Sequence, residues 1–165
     1  MNMDIDTMIP GQDRNIRRTT KLVSFRMDRG FVEQIDALRA EFDRRAPHAP
    51  KSTRTDMFHV ICRTYLDQVR QLRRGGQSPE PPERGYNPDA TRDLVMVAFR
   101  ARIDYLHRMD QLCATFDTQT DSDLPTRRSD VFHAMTAFFL SEATHALDSG
   151  DDNRLRQMHD MSKDW

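Results

Sequence analysis

The sequence predicts a mainly α fold with a two-stranded antiparallel β-ribbon, assembled from two copies of a strand–helix–helix unit on one chain. Three observations lead there. Residues 20–27 (TKLVSFRM) place Val23, Phe25 and Met27 at every second position, the period a half-buried strand requires. The stretch returns at an offset of 74: in residues 94–101 (LVMVAFRA), Val97, Phe99 and Arg100 stand where Val23, Phe25 and Arg26 stood. The repeat then runs on without a gap, and residues 23–66 match 97–140 at 13 of 44 positions. Asp36/Asp110, Phe42/Phe116, Arg54/Arg128, Asp56/Asp130, Phe58/Phe132 and His59/His133 are among the matches.

Each element has a local reason. Residues 1–19 lack periodicity, contain Pro10 and Gly11, and read as a flexible tail whose end is a basic arm with Arg14, Arg17 and Arg18. After the strand, Asp28 is placed to cap a helix over 29–44, whose apolar stripe is Val32, Ile35, Leu38 and Phe42. Pro47 and Pro50 stop it. Thr53 opens the second helix, with Asp56 three residues on as in a capping box. Phe58, Ile61, Tyr65, Val69 and Leu72 line that helix, and Met57, Val60 and Cys62 widen its apolar surface, so it should be buried on several sides. The first unit is thus 20–72. Residues 73–93, rich in Pro and Gly, form a linker, and 94–146 make the second unit. The polar, acidic residues 147–165 read as a second flexible tail.

Composition bounds the rest. A chain of 165 residues with 37% hydrophobic and 31% charged residues fits a soluble protein with a modest core. The net charge of −1 hides segregation: residues 14–29 hold six bases against the single acid Asp28, while acids gather at both ends. Cys62 and Cys113 occupy unmatched positions and read as reduced thiols. The N-terminus has acids where a signal peptide has bases, and no apolar run approaches the ~20 residues of a membrane helix. The expected compartment is the cytoplasm, with no membrane partner. His59 and Cys62 lie one helical turn apart, but Thr136 stands opposite Cys62, and metal sites need more ligands than that. No nucleophile elbow, phosphate loop or paired-carboxylate motif occurs, so neither an enzyme nor a cofactor is expected.

One unit cannot stand alone, because a lone strand lacks a ladder partner and so short a segment buries little apolar surface. Paired antiparallel, the two strands would form a ribbon exposing Ser24, Arg26, Ala98 and Arg100, with Leu22 and Met96 beside them. A two-stranded ribbon fits the major groove of B-DNA.

These residues resemble the ribbon-helix-helix family of DNA-binding proteins. KLVSFRM is similar to the family's strand. STRTDMFHVICRTYL and TRRSDVFHAMTAFFL are similar to its second helix, with a small-polar or basic, then acidic, opening. Most members are homodimers, whereas here a single chain would replace the dimer. The loops 45–52 and 118–126 are longer than the family's usual turn. The resemblance implies sequence-specific binding of double-stranded DNA, with base contacts from Arg26, Arg100 and Ser24 and lesser ones from Ala98, Leu22 and Met96. It implies phosphate contacts at the starts of the second helices, Thr53, Arg54, Thr55 and Arg127, Arg128, Ser129, where free amides and the helix dipole favour an anion. Lys21 and Arg18 would follow the backbone. Tandem forms occur among accessory proteins of T-DNA and conjugative plasmid transfer, so a relaxase or other transfer protein is a further expected partner. A ribbon-helix-helix repressor or antitoxin, and a module that augments another protein's sheet, are the alternative readings.

Overall fold

The structure, a computed structural model, describes residues 19–82, 93–121 and 123–165. Among them the elements run β1 (Thr20–Asp28), α1 (Arg29–Arg45), α2 (Arg54–Arg74), β2 (Leu94–Arg102), α3 (Ile103–Gln119), α4 (Arg128–Asp148) and α5 (Asp152–Lys163). The fold is mainly helical with one two-stranded antiparallel sheet, as the sequence predicts. β2, α3 and α4 begin and end 74 residues after β1, α1 and α2. The ladder is centred on the rung Ser24–Ala98, which joins two positions related by that same offset. Every rung on one side of it therefore has a counterpart on the other, such as Leu22–Arg100 and Arg26–Met96.

Matching hydrogen bonds shape the two units. The Asp28 carboxylate accepts the Gly30 amide at 2.8 Å and caps α1. Arg102 holds the equivalent place before α3; it cannot cap, and its guanidinium bonds Asp104 at 2.9 and 3.0 Å instead. At α2 the capping box is complete, with the Asp56 amide donating to Thr53 Oγ1 at 3.0 Å and the Thr53 amide to Asp56 at 2.9 Å. At α4 the cap residue is Arg127, whose side chain has no acceptor. Asp130 still accepts the Arg127 amide at 2.9 Å, while its own amide turns to the Arg127 carbonyl. The long interhelix loops are tied down alike, Ser52 N–H to Asp43 at 2.8 Å and Thr126 N–H to Asp117 at 2.7 Å.

The core is centred on four phenylalanines. Phe25 and Phe99 point inward from the ribbon; Phe58 and Phe132 rise to meet them from α2 and α4, and all are buried. The closest rings cross between the repeats: Phe25–Phe132 at 4.7 Å and Phe58–Phe99 at 4.9 Å, against 6.1 Å for Phe25–Phe58 and 5.6 Å for Phe99–Phe132. Each strand thus packs more closely on the other repeat's second helix than on its own.

The C-terminal segment differs from expectation. Residues 147–165 read as a flexible acidic tail, but α4 continues to Asp148 and α5 then folds back on the core. Gly150, at a φ of +67°, makes the reversal, and the Asp151 carboxylate caps α5 through the Arg154 amide. Leu155, Met158, His159 and Ser162 are buried. They recur at i, i+3, i+4 and i+7, the stripe of an amphipathic helix, which the surrounding acids obscured. Likewise α2 runs on to Arg74, two residues into the expected linker, before Gly75 and Gly76 turn the chain. The tail 1–18 and linker residues 83–92 lie outside the described residues.

Candidate nucleic-acid interface

The period of two that sends Val23, Phe25, Met27, Val97 and Phe99 inward turns Leu22, Ser24, Arg26, Met96, Ala98 and Arg100 to the opposite face. All six are exposed there, Leu22 at 64% and Met96 at 62%. Their order is set by the register: Arg26 faces Met96, Ser24 faces Ala98, and Leu22 faces Arg100. The two arginines therefore occupy opposite corners of the face. Arg100 donates weakly to Thr20 Oγ1 at 3.4 Å. Lys21 is exposed at the ribbon's end opposite Ala101, but its parity is that of Val23 and Phe25, so it leaves the ribbon toward the helices. Arg18 lies outside the described residues.

The starts of the second helices present a more constrained picture. Arg54 forms a two-pronged bond to Asp36, at 3.2 and 2.8 Å, and Arg128 does the same to Asp110, at 2.7 Å for both prongs. These pairs join equivalent positions of the two repeats. Each arginine lowers its partner's carboxyl below the usual aspartate value, chiefly through the hydrogen bond. Both guanidiniums expected to hold phosphates are thus already neutralised within the chain. The backbone amides of Arg54, Thr55, Arg128 and Ser129 have no acceptor among the described residues, so the anion-binding capacity of the helix starts stays available.

The first helix start carries a feature with no equivalent in the second repeat. Lys163 Nζ donates to Asp56 at 2.9 Å and to the Lys51 carbonyl at 3.1 Å, and Trp165 Nε1 donates to the other Asp56 oxygen at 2.8 Å. Burial would push the Asp56 carboxyl up, but the Thr53 amide, Lys163 and Trp165 together hold it below its ordinary value. The Trp165 indole lies flat on the His59 ring, 4.4 Å between centroids and 5° between planes. Arg63 secures the same terminus through Asp164 at 2.7 Å. Sequence reasoning missed these contacts because they join positions about a hundred residues apart.

His59 explains itself structurally. Its Nε2 lies 3.1 Å from the Arg100 carbonyl, which can only accept, so Nε2 carries the proton and ties α2 to β2 at the exposed arginine. Burial lowers its pKa to about 4, so the ring is neutral. His133 in turn packs on Phe31 at 4.8 Å, as His59 packs on Tyr105 at 5.5 Å. Among the described residues no three His, Cys, Asp or Glu side chains gather to hold a metal ion. Cys62 and Cys113 are free, and burial raises both thiols, Cys113 to about 11. No helix among the described residues is long and apolar enough to cross a membrane.

Compared with protein-family models, curated proteins and solved structures, the chain matches none.

Proposed function

We propose that this chain is a tandem ribbon-helix-helix protein, a pseudo-dimer in one polypeptide, that inserts its β-ribbon into the major groove of double-stranded DNA and reads sequence there. The observation that carries this reading is the outer ribbon face, with Arg26 and Arg100 at opposite corners about the Ser24–Ala98 rung. Along the strand direction the two arginine rungs are about 13 Å apart, on the order of four base steps at ~3.4 Å each. Each guanidinium can grip guanine O6 and N7, and the exposed Leu22, Met96 and Ala98 suit thymine methyls. Because Ser24 faces Ala98, the two halves of the site need not be identical. An identical-chain dimer lacks that freedom.

The single-chain form supports a place among the accessory factors of T-DNA or conjugative DNA transfer, acting at an origin or border beside a relaxase. A selection of bound duplexes supplies the target sequence. A target beside a nicked origin or border agrees with transfer; one confined to the protein's own promoter turns the reading to repression. On the selected duplex, Arg26→Ala with Arg100→Ala should remove about 1–3 kcal/mol of discrimination per broken guanine contact. Unchanged discrimination in a salt-controlled titration would sink the readout model. Loss of all salt-dependent duplex binding by the intact chain would leave a protein-interaction module in its place.

A further inference from the structure

We infer that a groove between the C-terminal half of α2 and the middle of α3 docks an acidic peptide segment of a partner protein. The groove has a volume of about 420 Å³, with a floor of Leu66, Val69 and Leu112 and a rim of Arg70, Arg73, Arg74 and Arg108. Several arginines elsewhere are answered within the chain: Arg54, Arg63, Arg102 and Arg128 each have a carboxylate oxygen within 2.9 Å. At the groove they are not. Arg73, Arg74 and Arg108 have no carboxylate partner among the described residues, and Arg70 approaches Asp67 only at 3.6 Å.

The fold does not require this charge. At the equivalent positions of the other repeat stand Thr144, Leu147 and Asp148, and Gln34 stands where α3 has Arg108. The negative end of the α2 dipole accounts for cations at Arg73 and Arg74 in its last turn. It does not account for Arg108, which comes from a different helix. A concave aliphatic floor rimmed by guanidiniums suits carboxylates flanking one or two apolar side chains. It suits nucleic acid less well, since among the described residues no aromatic ring lines the groove to stack a base. From Arg54 to Arg70 the helix rises about 24 Å. A peptide held here therefore leaves the ribbon's outer face open, and one molecule could hold duplex DNA and an acidic partner together.

The test titrates the full chain with a fluorescein-labelled synthetic peptide of aspartate, glutamate and leucine, read by anisotropy, with random-sequence duplex DNA run alongside. Saturable peptide binding is expected, weakened about tenfold by Arg73→Glu with Arg74→Glu and again when the peptide's leucines are replaced by serine. Arg108→Gln puts the other repeat's residue at an exposed position and should weaken peptide binding severalfold with an unchanged circular dichroism spectrum. Absence of saturable peptide binding, or binding indifferent to these changes, overturns the inference. So does a result in which the variants spare the peptide but lower the salt slope of duplex binding by about two, which would make the groove a phosphate contact.

Discussion

Arg54 and Arg128 stand where the sequence places them, and the structure adds a partner that the sequence did not show. Both sit at the first turn of a second helix, as expected, yet each is bonded to an aspartate 18 residues earlier. The signal was present, because Asp36/Asp110 and Arg54/Arg128 are both identical pairs, but nothing in one dimension says that they touch. If the helix starts meet phosphates, these carboxylates compete with them. Asp36→Asn or Asp110→Asn should therefore raise duplex affinity at low salt and steepen the dependence of log K on log salt by about 0.9. The cost in folding stability should be no more than about 1 kcal/mol, since the pairs are partly exposed. A salt titration of each variant decides it; an unchanged slope would mean that the arginines stay off the backbone even when released.

Elements were legible to different degrees. Both strands and the four helices of the repeat could be read because each carries a strong period, because Asp28 and Thr53 mark the helix starts of the first copy, and because the second copy repeats the first. The ribbon's outer face followed from the same period, which puts Ser24, Ala98 and the two arginines on one face, with Arg26 and Arg100 at its opposite corners. α5 could not be read so easily: its stripe of Leu155, Met158, His159 and Ser162 includes two polar residues that find shelter only against other elements. Phe42 stacks on His159 at 5.1 Å, and Ser52 Oγ lies 3.5 Å from that imidazole. Met158 is wholly buried, so Met158→Ala should cost about 2–5 kcal/mol in a urea melt. Trp165 is the chain's one tryptophan and stacks on His59, so its fluorescence reports docking of this segment. A variant that lost no stability and left the emission unchanged would mean that α5 contributes nothing to the packed core.

At the scale of the whole molecule, the crossing phenylalanine contacts make the two repeats one folding unit. Removing Phe58 or Phe132 takes a ring from both halves at once, and Phe132→Ala should cost about 3–5 kcal/mol in a single cooperative transition. Two separate transitions would contradict the interlock. The same cooperativity lets one buried histidine couple the molecule to pH. His59 is 1% exposed, its Nε2 proton is held by the Arg100 carbonyl, and its Nδ1 has no partner among the described residues. Burial lowers its folded pKa to about 4, against an ordinary 6.5. Between those values the unfolded chain binds a proton that the folded chain refuses. Stability from this group is therefore complete above pH 6.5 and falls as the pH drops toward 4, by up to about 3 kcal/mol. The lowered carboxyls of Asp36, Asp56 and Asp110 act in the same direction at still lower pH, where their protonation is favoured on unfolding. His59→Gln can keep a donor near the Arg100 carbonyl while removing the titration. Urea midpoints of the parent chain should decline from pH 7 to pH 4.5, and those of the variant should decline less. A parent midpoint that stays level across that range would mean that His59 is protonated in the folded state without cost.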